Sequence, residues 1–205
     1  NGPTTFCSGN SVTITAPTAD SYVWSNNATT QSITVSTSGT YDVAITTAGC
    51  SATSAPVAVV VNALPTPIVT TNNVAICQGT AATLSATPAA AYAWSNGATT
   101  PTINVTSAGN YAVTVTDANG CSATSAPLAI AVSALPSVSI AAAGPTTFCQ
   151  GQSVVLNTNT NGSTFAWSNG STAPSITVNN SGLYFVTVTN AAGCSAVSNE
   201  ISVNA

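Results

Sequence analysis

The side chains that could do chemistry in this chain are cysteines and acids. The six cysteines are Cys7, Cys50, Cys77, Cys121, Cys149 and Cys194, and the four acids are Asp20, Asp42, Asp117 and Glu200. The 205 residues include no lysine, arginine, histidine or methionine, so the formal net charge is −4. Most general acid–base and nucleophilic mechanisms need a histidine or a lysine. We therefore expect no enzyme activity, no catalytic residue and no cofactor.

The absence of cations also limits the partners. Nucleic-acid binding depends on lysine and arginine to neutralise phosphates, and attraction to acidic lipids depends on a basic patch. The longest apolar runs, residues 55–61 and 126–132, are far shorter than the roughly 20 residues that a membrane helix requires. The sequence therefore predicts neither nucleic-acid binding nor membrane insertion.

Metal binding is not expected either. Asp117 lies in Asp117-Ala118-Asn119-Gly120 without a second acid nearby, whereas Ca²⁺ takes six to eight oxygen ligands. An aspartate in that setting more often forms a turn. Cysteines 43 residues apart without a CxxC or histidine spacing do not suggest zinc. We expect Asp117 to be a turn residue.

The chain is a threefold repeat. The motif Phe6-Cys7-Ser8-Gly9 returns at residues 76–79 and 148–151, and Gly49-Cys50-Ser51-Ala52 returns at residues 120–123 and 193–196. Trp24, Trp94 and Trp167 are spaced 70 and 73 residues apart, which is too long for a solenoid repeat of about 20–45 residues. Each repeat is therefore predicted to be a small domain, with boundaries at 1–64, 65–135 and 136–205.

Hydrophobic residues alternate with Thr, Ser, Ala and Asn in each repeat, as in Val12-Thr13-Ile14-Thr15 and Ser32-Ile33-Thr34-Val35. Alternation with period 2 predicts half-buried antiparallel strands. A tryptophan in the third strand and a tyrosine opening the sixth resemble an immunoglobulin-like sandwich. The fold class is therefore all-β, with three tandem sandwiches in a semi-rigid rod. The predicted core aromatics are Trp24, Trp94, Trp167, Tyr41, Tyr111 and Tyr184.

Six cysteines allow 15 pairings, and the repeat favours one bond per domain. This scheme is Cys7–Cys50, Cys77–Cys121 and Cys149–Cys194, each stabilising its domain by about 4 kcal/mol on the chain-entropy model. The alternative joins Cys50 to Cys77 and Cys121 to Cys149, and leaves Cys7 and Cys194 to bond other subunits. Either scheme implies an oxidising compartment outside the cytoplasm, so the expected location is extracellular, secreted or at the cell surface.

The repeats differ at their beginnings. An extra strand precedes the cysteine motif in domains 2 and 3, at residues 67–70 and 138–140, and domain 1 lacks it. One explanation is that the chain is a segment of a longer array. The other is that another chain donates the strand to domain 1 by β-strand addition.

The combined motifs resemble those of Ig-like, PKD-like tandem repeats in giant secreted surface proteins of Bacteroidota-type bacteria. The clearest are Tyr92-Ala93-Trp94-Ser95-Asn96-Gly97, Ser181-Gly182-Leu183-Tyr184 and Gly120-Cys121-Ser122-Ala123. The tryptophan motif departs from that of PKD domains, which continue with an acidic residue after the tryptophan. The resemblance implies adhesins, stalks or extracellular fibres and brings no catalytic residues.

Two classes of function follow. The first is a structural or adhesive element, part of a surface filament or adhesin stalk, that self-associates through nearly uncharged faces. The second is an accessory module of a secreted protein that binds a glycan, another cell-surface ligand or ice. Of the 12 aromatic residues, only Phe185 lies outside a repeat-equivalent position. We expect it to point outward, where it packs on its own sheet or contacts a neighbouring subunit.

Overall fold

A computed structural model describes residues 2–160 and 162–205. The described chain consists of 25 short strands joined by turns, which confirms the predicted all-β fold. No helix in the described part of the chain is long and apolar enough to cross a membrane. The strands of the first repeat are β1 (Thr5–Cys7), β2 (Val12–Thr15), β3 (Ser21–Trp24), β4 (Ser32–Val35), β5 (Gly39–Tyr41), β6 (Val43–Thr47), β7 (Cys50–Thr53) and β8 (Val57–Asn62).

The second repeat gives the same series with β9 added at the start. The third adds β18 at its start, and in place of a strand equivalent to β1 and β10 the described chain has an isolated bridge between Thr147 and Asn204. The strands of the second repeat are β9 (Val69–Thr71), β10 (Ala75–Cys77), β11 (Ala82–Ala86), β12 (Ala91–Trp94), β13 (Thr102–Val105), β14 (Gly109–Tyr111), β15 (Val113–Thr116), β16 (Ser122–Thr124) and β17 (Leu128–Ser133). Those of the third are β18 (Ile140–Ala142), β19 (Val154–Thr158), β20 (Thr164–Trp167), β21 (Ser175–Val178), β22 (Gly182–Tyr184), β23 (Val186–Thr189), β24 (Ser195–Val197) and β25 (Ile201–Val203).

The sheets of the three repeats follow one plan. In the first repeat the strand orders are β1-β8-β5, β2-β4 and β3-β6-β7. The second repeat has β10-β17-β14, β13-β11-β9 and β12-β15-β16, and the third has β22-β25, β18-β19-β21 and β20-β23-β24. The last strand runs parallel to the strand that carries the first cysteine, as β1 with β8 and β10 with β17. This parallel pair fixes the end of the repeat at which each cysteine lies.

The described chain divides into two compact units. The first comprises Asn1–Thr70, Ser85–Ile103 and Tyr111–Leu128, and the second comprises Thr71–Leu84, Asn104–Asn110 and Ala129–Ala205. The first repeat belongs to one unit and the third repeat to the other, while the second repeat contributes strands to both. The three-domain division remains a prediction.

The core of the first repeat forms where alternate side chains of its sheets face inward. Its buried residues are Val12, Ala16, Trp24, Ile33, Val35, Tyr41, Val43 and Val59. The third repeat packs Leu156, Val186 and Val188 around Trp167 in the same way. The polar residues between these positions remain accessible, as the period-2 pattern predicts for strands with one buried face.

Candidate functional site

The cysteines do not pair within single repeats. The structure contains the bonds Cys7–Cys121 and Cys77–Cys194, with Cα–Cα distances of 5.5 and 5.6 Å. Cys50 and Cys149 are free and exposed. The predicted bonds Cys7–Cys50, Cys77–Cys121 and Cys149–Cys194 are therefore wrong, and so is the alternative that joins Cys50 to Cys77 and Cys121 to Cys149. Each observed bond joins the first cysteine of one repeat to the second cysteine of the next.

The physical reason is that the two cysteines of a repeat lie at opposite ends of it. Parallel pairing of β1 with β8 places Cys7 beside Asn62, at the end of the last strand. Cys50 lies in the β6–β7 hairpin, where it pairs with Thr47. The chain from Cys50 to Asn62 runs away from that hairpin over a span of up to about 40 Å, at roughly 3.3 Å per residue. A disulfide requires Cα atoms about 4.4–6.8 Å apart.

A side-chain cap organises the turn before each bonded second cysteine. The Asp117 Oδ1 accepts hydrogen bonds from the backbone N–H groups of Asn119 and Cys121, both at 2.9 Å. The Asn190 Oδ1 accepts from Ala192 and Cys194, both at 3.0 Å. Asp117 is thus the turn residue that the sequence suggests, and its carboxylate accepts hydrogen bonds from backbone N–H groups of the turn.

The third-repeat turn is also attached to the segment that joins the second and third repeats. The Asn190 Nδ2 donates to the Ala134 carbonyl at 2.9 Å. The Cys194 Sγ lies 3.9 Å from the Ser133 carbonyl oxygen, and Ser133 is the β17 residue paired with Cys77. The turn therefore lies against the end of β17, and the Cys77–Cys194 disulfide links the two repeats covalently at the same place.

The free second cysteine lies in a tighter turn. Two residues separate β6 from β7, whereas five separate β15 from β16 and β23 from β24. The chain reverses at these two residues, Ala48 and Gly49, which have φ of 50° and 79°. The Asp20 Oδ2 accepts a hydrogen bond from the Ala48 N–H at 2.8 Å. Cys50 is exposed at this end, whereas Cys121 and Cys194 are 0% and 1% exposed.

The predicted core aromatics are held by polar as well as apolar contacts. Trp24, Trp94 and Trp167 are buried, and each indole Nε1 donates at 2.8 Å to a carbonyl six residues later. The Tyr41 hydroxyl donates to the Thr37 carbonyl at 3.1 Å, and the Tyr184 hydroxyl donates to the Asn180 carbonyl at 3.0 Å. These are the bonds of a tyrosine corner. Tyr41 is buried, and Tyr111 and Tyr184 are half-buried.

Phe185 and its equivalents lie where the chain changes sheets. Tyr184 ends β22, which pairs with β25, and Val186 begins β23, which pairs with β20. Phe185 between them is half-buried, and its backbone N–H donates to the Ser168 Oγ at 3.3 Å. The sequence suggested one continuous strand here. The outward orientation of Phe185, with packing on its own sheet or contact with a neighbouring subunit, stays a prediction.

A serine that sequence reasoning missed stabilises this crossing. The Ser125 Oγ accepts a hydrogen bond from the Val113 N–H at 3.1 Å, and the Ser198 Oγ accepts from Val186 at the same distance. The Ser54 Oγ accepts from Val43 at 3.2 Å. Ser125 and Ser198 are buried, while Ser54 is exposed. The signal was present in the sequence, since a serine recurs four residues after the second cysteine in every repeat.

We expect Ser198→Ala to lower the free energy of unfolding by about 1–3 kcal/mol, because it leaves the buried Val186 N–H without its acceptor. Ser54→Ala is the matched control. It removes the equivalent bond at an exposed position, where water replaces the lost acceptor, so we expect a cost below about 1 kcal/mol. Urea denaturation followed by circular dichroism measures both. Equal costs for the two variants would contradict the role given to burial.

The surface of the described residues carries shallow, mostly apolar grooves. Residues 2–160 and 162–205 hold no group of three His, Cys, Asp or Glu side chains that could bind a metal ion. A groove of about 270 Å³ runs along the edge of β2, lined by Val12, Ile14 and Val57 among others. Pockets that enclose drug-sized ligands usually measure about 300–1,000 Å³.

Comparisons with known proteins found similar solved structures and nothing else. No protein-family model and no curated protein matches the chain. Among solved structures, extracellular domains 3–5 of Drosophila OTK align over 98% of this chain and 94% of that one, with 14% identity and a TM-score of 0.37. Three N-terminal domains of the outer capsid protein Hoc of bacteriophage RB49 align over 68% and 58%, with 20% identity and a TM-score of 0.37.

A third similar structure is the Bacteroides ovatus protein SGBP-B, solved in complex with a mixed-linkage heptasaccharide. It aligns over 98% of this chain and 64% of that one, with 17% identity and a TM-score of 0.27. The described chain is an all-β protein whose short strands form the same kinds of small sheets in each of three repeats. Its two disulfides indicate an oxidising, extracellular environment.

Proposed function

We propose that this protein is a structural element of an extracellular filament or adhesin stalk, in which its repeats work by assembly. The observation that carries this proposal is the position of the disulfides. Cys7–Cys121 and Cys77–Cys194 each join the strand end of one repeat to the turn of the next. A bond inside a repeat would stabilise only that repeat, whereas these bonds connect successive repeats a second time beside the peptide chain. Such cross-linking suits a protein that bears tension along its length.

The surface supports self-association. Four carboxylates are the only charged side chains in 205 residues, and a low net charge favours association. Edge strands carry none of the lysines that normally block strand pairing. Hydroxyl groups cover several exposed faces, as in the pairs Thr13–Thr34 and Thr114–Thr124, whose oxygens are 3.2 and 2.7 Å apart. Such groups can hydrogen-bond a neighbour without the desolvation cost of ions.

The first repeat offers an edge for this association. Among the described residues β2 pairs with β4 alone, whereas β11 and β19 each have a further partner, β9 and β18. The groove along β2 is lined by Val12 and Ile14 from that strand and by Gly2, Thr4 and Val57. A strand donated by another chain would take the position that β9 and β18 occupy in the other repeats. Strand donation to the first repeat is therefore part of the proposal.

Electron microscopy of the native material tests the function. We expect fibres with an axial period of about three immunoglobulin-like repeats. We also expect them to persist between 0.1 and 1 M NaCl, because screening acts on charges that are scarcely present. Dispersed monomers with measurable affinity for a glycan or for ice would overturn the structural role in favour of an accessory binding module. Dissolution of the fibres by salt would contradict assembly through uncharged faces.

A further inference from the structure

The two free cysteines occupy the same repeat positions as the bonded ones. Cys149 corresponds to Cys7 and Cys77, because each is the first cysteine of its repeat and follows a large apolar residue, phenylalanine or isoleucine. Cys50 corresponds to Cys121 and Cys194, which follow the turn glycine. Four of the six positions are therefore bonded by one rule, first cysteine of a repeat to second cysteine of the next repeat along the chain. Cys149 and Cys50 are the two cysteines that remain free.

We propose that Cys149 of one chain forms a disulfide with Cys50 of a second copy of this chain. The bond continues the rule across the chain boundary, with the third repeat of one copy preceding the first repeat of the next. Each copy has one free cysteine of each type, so the linkage between copies is head to tail. It deepens the proposed filament function, on which it rests, by naming the covalent contact between subunits.

Both thiols are accessible for this bond. Cys50 and Cys149 are exposed, and exposed thiols in an oxidising compartment are oxidised or paired. Cys149 follows a segment held to the last strand by the bridge Thr147–Asn204 and by a hydrogen bond from the Phe148 N–H to the Asn204 carbonyl at 3.1 Å. It therefore lies at the strand-end side of its repeat, as Cys7 and Cys77 do in theirs.

The cysteine of the second copy, Cys50, lies at the hairpin end of its repeat, opposite the strand end at which Cys149 lies in the third repeat. Cys50 lies in the β6–β7 hairpin, the same hairpin that carries Cys121 and Cys194 in the other repeats. Its turn has two residues between the strands where the equivalent turns have five, and its side-chain cap comes from Asp20, which lies outside the turn. We therefore expect the joint between chains to use the same pair of cysteines with a different local contact from the Asn190–Ala134 bond inside the chain.

The reaction is thiol–disulfide exchange with a small disulfide oxidant such as oxidised glutathione. The Cys149 thiolate attacks one sulfur of the oxidant, forms a mixed disulfide and releases one glutathione thiolate. The Cys50 thiolate of the second copy then attacks the Cys149 sulfur and releases the second glutathione thiolate. The two cysteine thiols lose two protons and two electrons, and the oxidant takes up the electrons as two thiols.

The test uses the full 205-residue protein, with its two internal disulfides intact, in a buffer of oxidised and reduced glutathione. Non-reducing gels should show a ladder at multiples of the 20.0 kDa chain mass, which a reductant converts to monomer. Cys50→Ser and Cys149→Ser should each remain monomeric alone. Their equimolar mixture should give a dimer and nothing larger. The double variant should remain monomeric, with unchanged stability.

Several results would overturn the proposal. Oxidised protein that stays monomeric is one, and single variants that dimerise as well as the mixture are another, because they indicate random or symmetric pairing. Pepsin digestion and mass spectrometry should find a peptide that joins Cys149 to Cys50. Fibres in electron microscopy without a ladder would contradict the interchain bond and support the proposed function. A ladder without fibres would support the interchain bond and contradict the proposed function.

Discussion

Replacing both members of one internal disulfide, in Cys77→Ala/Cys194→Ala, is expected to lower the free energy of unfolding by about 4–5 kcal/mol. The bond closes a loop with a sequence separation of 117 residues, and the chain-entropy model gives about 5 kcal/mol for a loop of that length. With a urea dependence of about 1–3 kcal/mol per M, the midpoint should fall by roughly 2 M. Circular dichroism in urea, without reductant, measures the shift.

The matched control is Cys50→Ala/Cys149→Ala, which also removes two cysteines but breaks no bond within the chain. We expect the midpoint of monomeric protein to stay unchanged. This control separates the observed pairing from the pairing that repeat spacing favours. If bonds formed inside single repeats, the control would lose Cys7–Cys50 and Cys149–Cys194 and would be strongly destabilised. A large loss of stability in the control would therefore contradict the structure.

The second large effect is expected from Trp167→Ala, at a cost of about 3–5 kcal/mol. Trp167 is 4% exposed and belongs to the core cluster of the third repeat with Leu156 and Val188. Its removal leaves a cavity that neighbouring strands cannot fill without moving. The indole also donates to the Ala173 carbonyl at 2.8 Å. Trp167→Phe keeps most of the ring volume and loses this bond, so we expect about 1–3 kcal/mol.

Leu183→Ala is the control for the tryptophan. Leu183 is a large apolar residue in the same repeat, but it is 59% exposed, and substitutions at such positions usually change stability by less than about 0.5 kcal/mol. Circular dichroism at the strand band reports all three variants without relying on tryptophan fluorescence. A cost for Trp167→Ala similar to that for Leu183→Ala would show that the tryptophan does not hold the core.

Strand positions and core residues were readable from the sequence because their signals are local. Alternation with period 2 placed Val12, Ile33 and Val35 on one face, and all three are buried. Trp24 and Tyr41 stood out because they recur in every repeat. The continuous strand suggested through Tyr184, Phe185 and Val186 was less accurate. Alternation continues through the crossing, since residues 184 and 186 face one core from two different sheets.

The pairing of the cysteines could not be predicted from local sequence patterns. The six cysteines and their repeat positions are evident in the sequence, and they establish that disulfides are central to the protein. Which thiols meet depends on the end of the repeat at which each one lies. The separation along the chain does not carry that information. A segment of 43 residues is long enough to end either at the same end of the repeat or at the opposite end.

The sequence by itself therefore determined three things: an all-β chain, its repeats and an almost uncharged surface. The tertiary structure alone decided the cysteine pairing. Parallel pairing of β1 with β8 carries Cys7 to the far end from Cys50, where the hairpin of the next repeat brings Cys121 within bonding distance. Hydrophobic alternation is set by neighbours two residues apart, whereas a disulfide is set by contacts more than a hundred residues apart, which only the folded chain brings together.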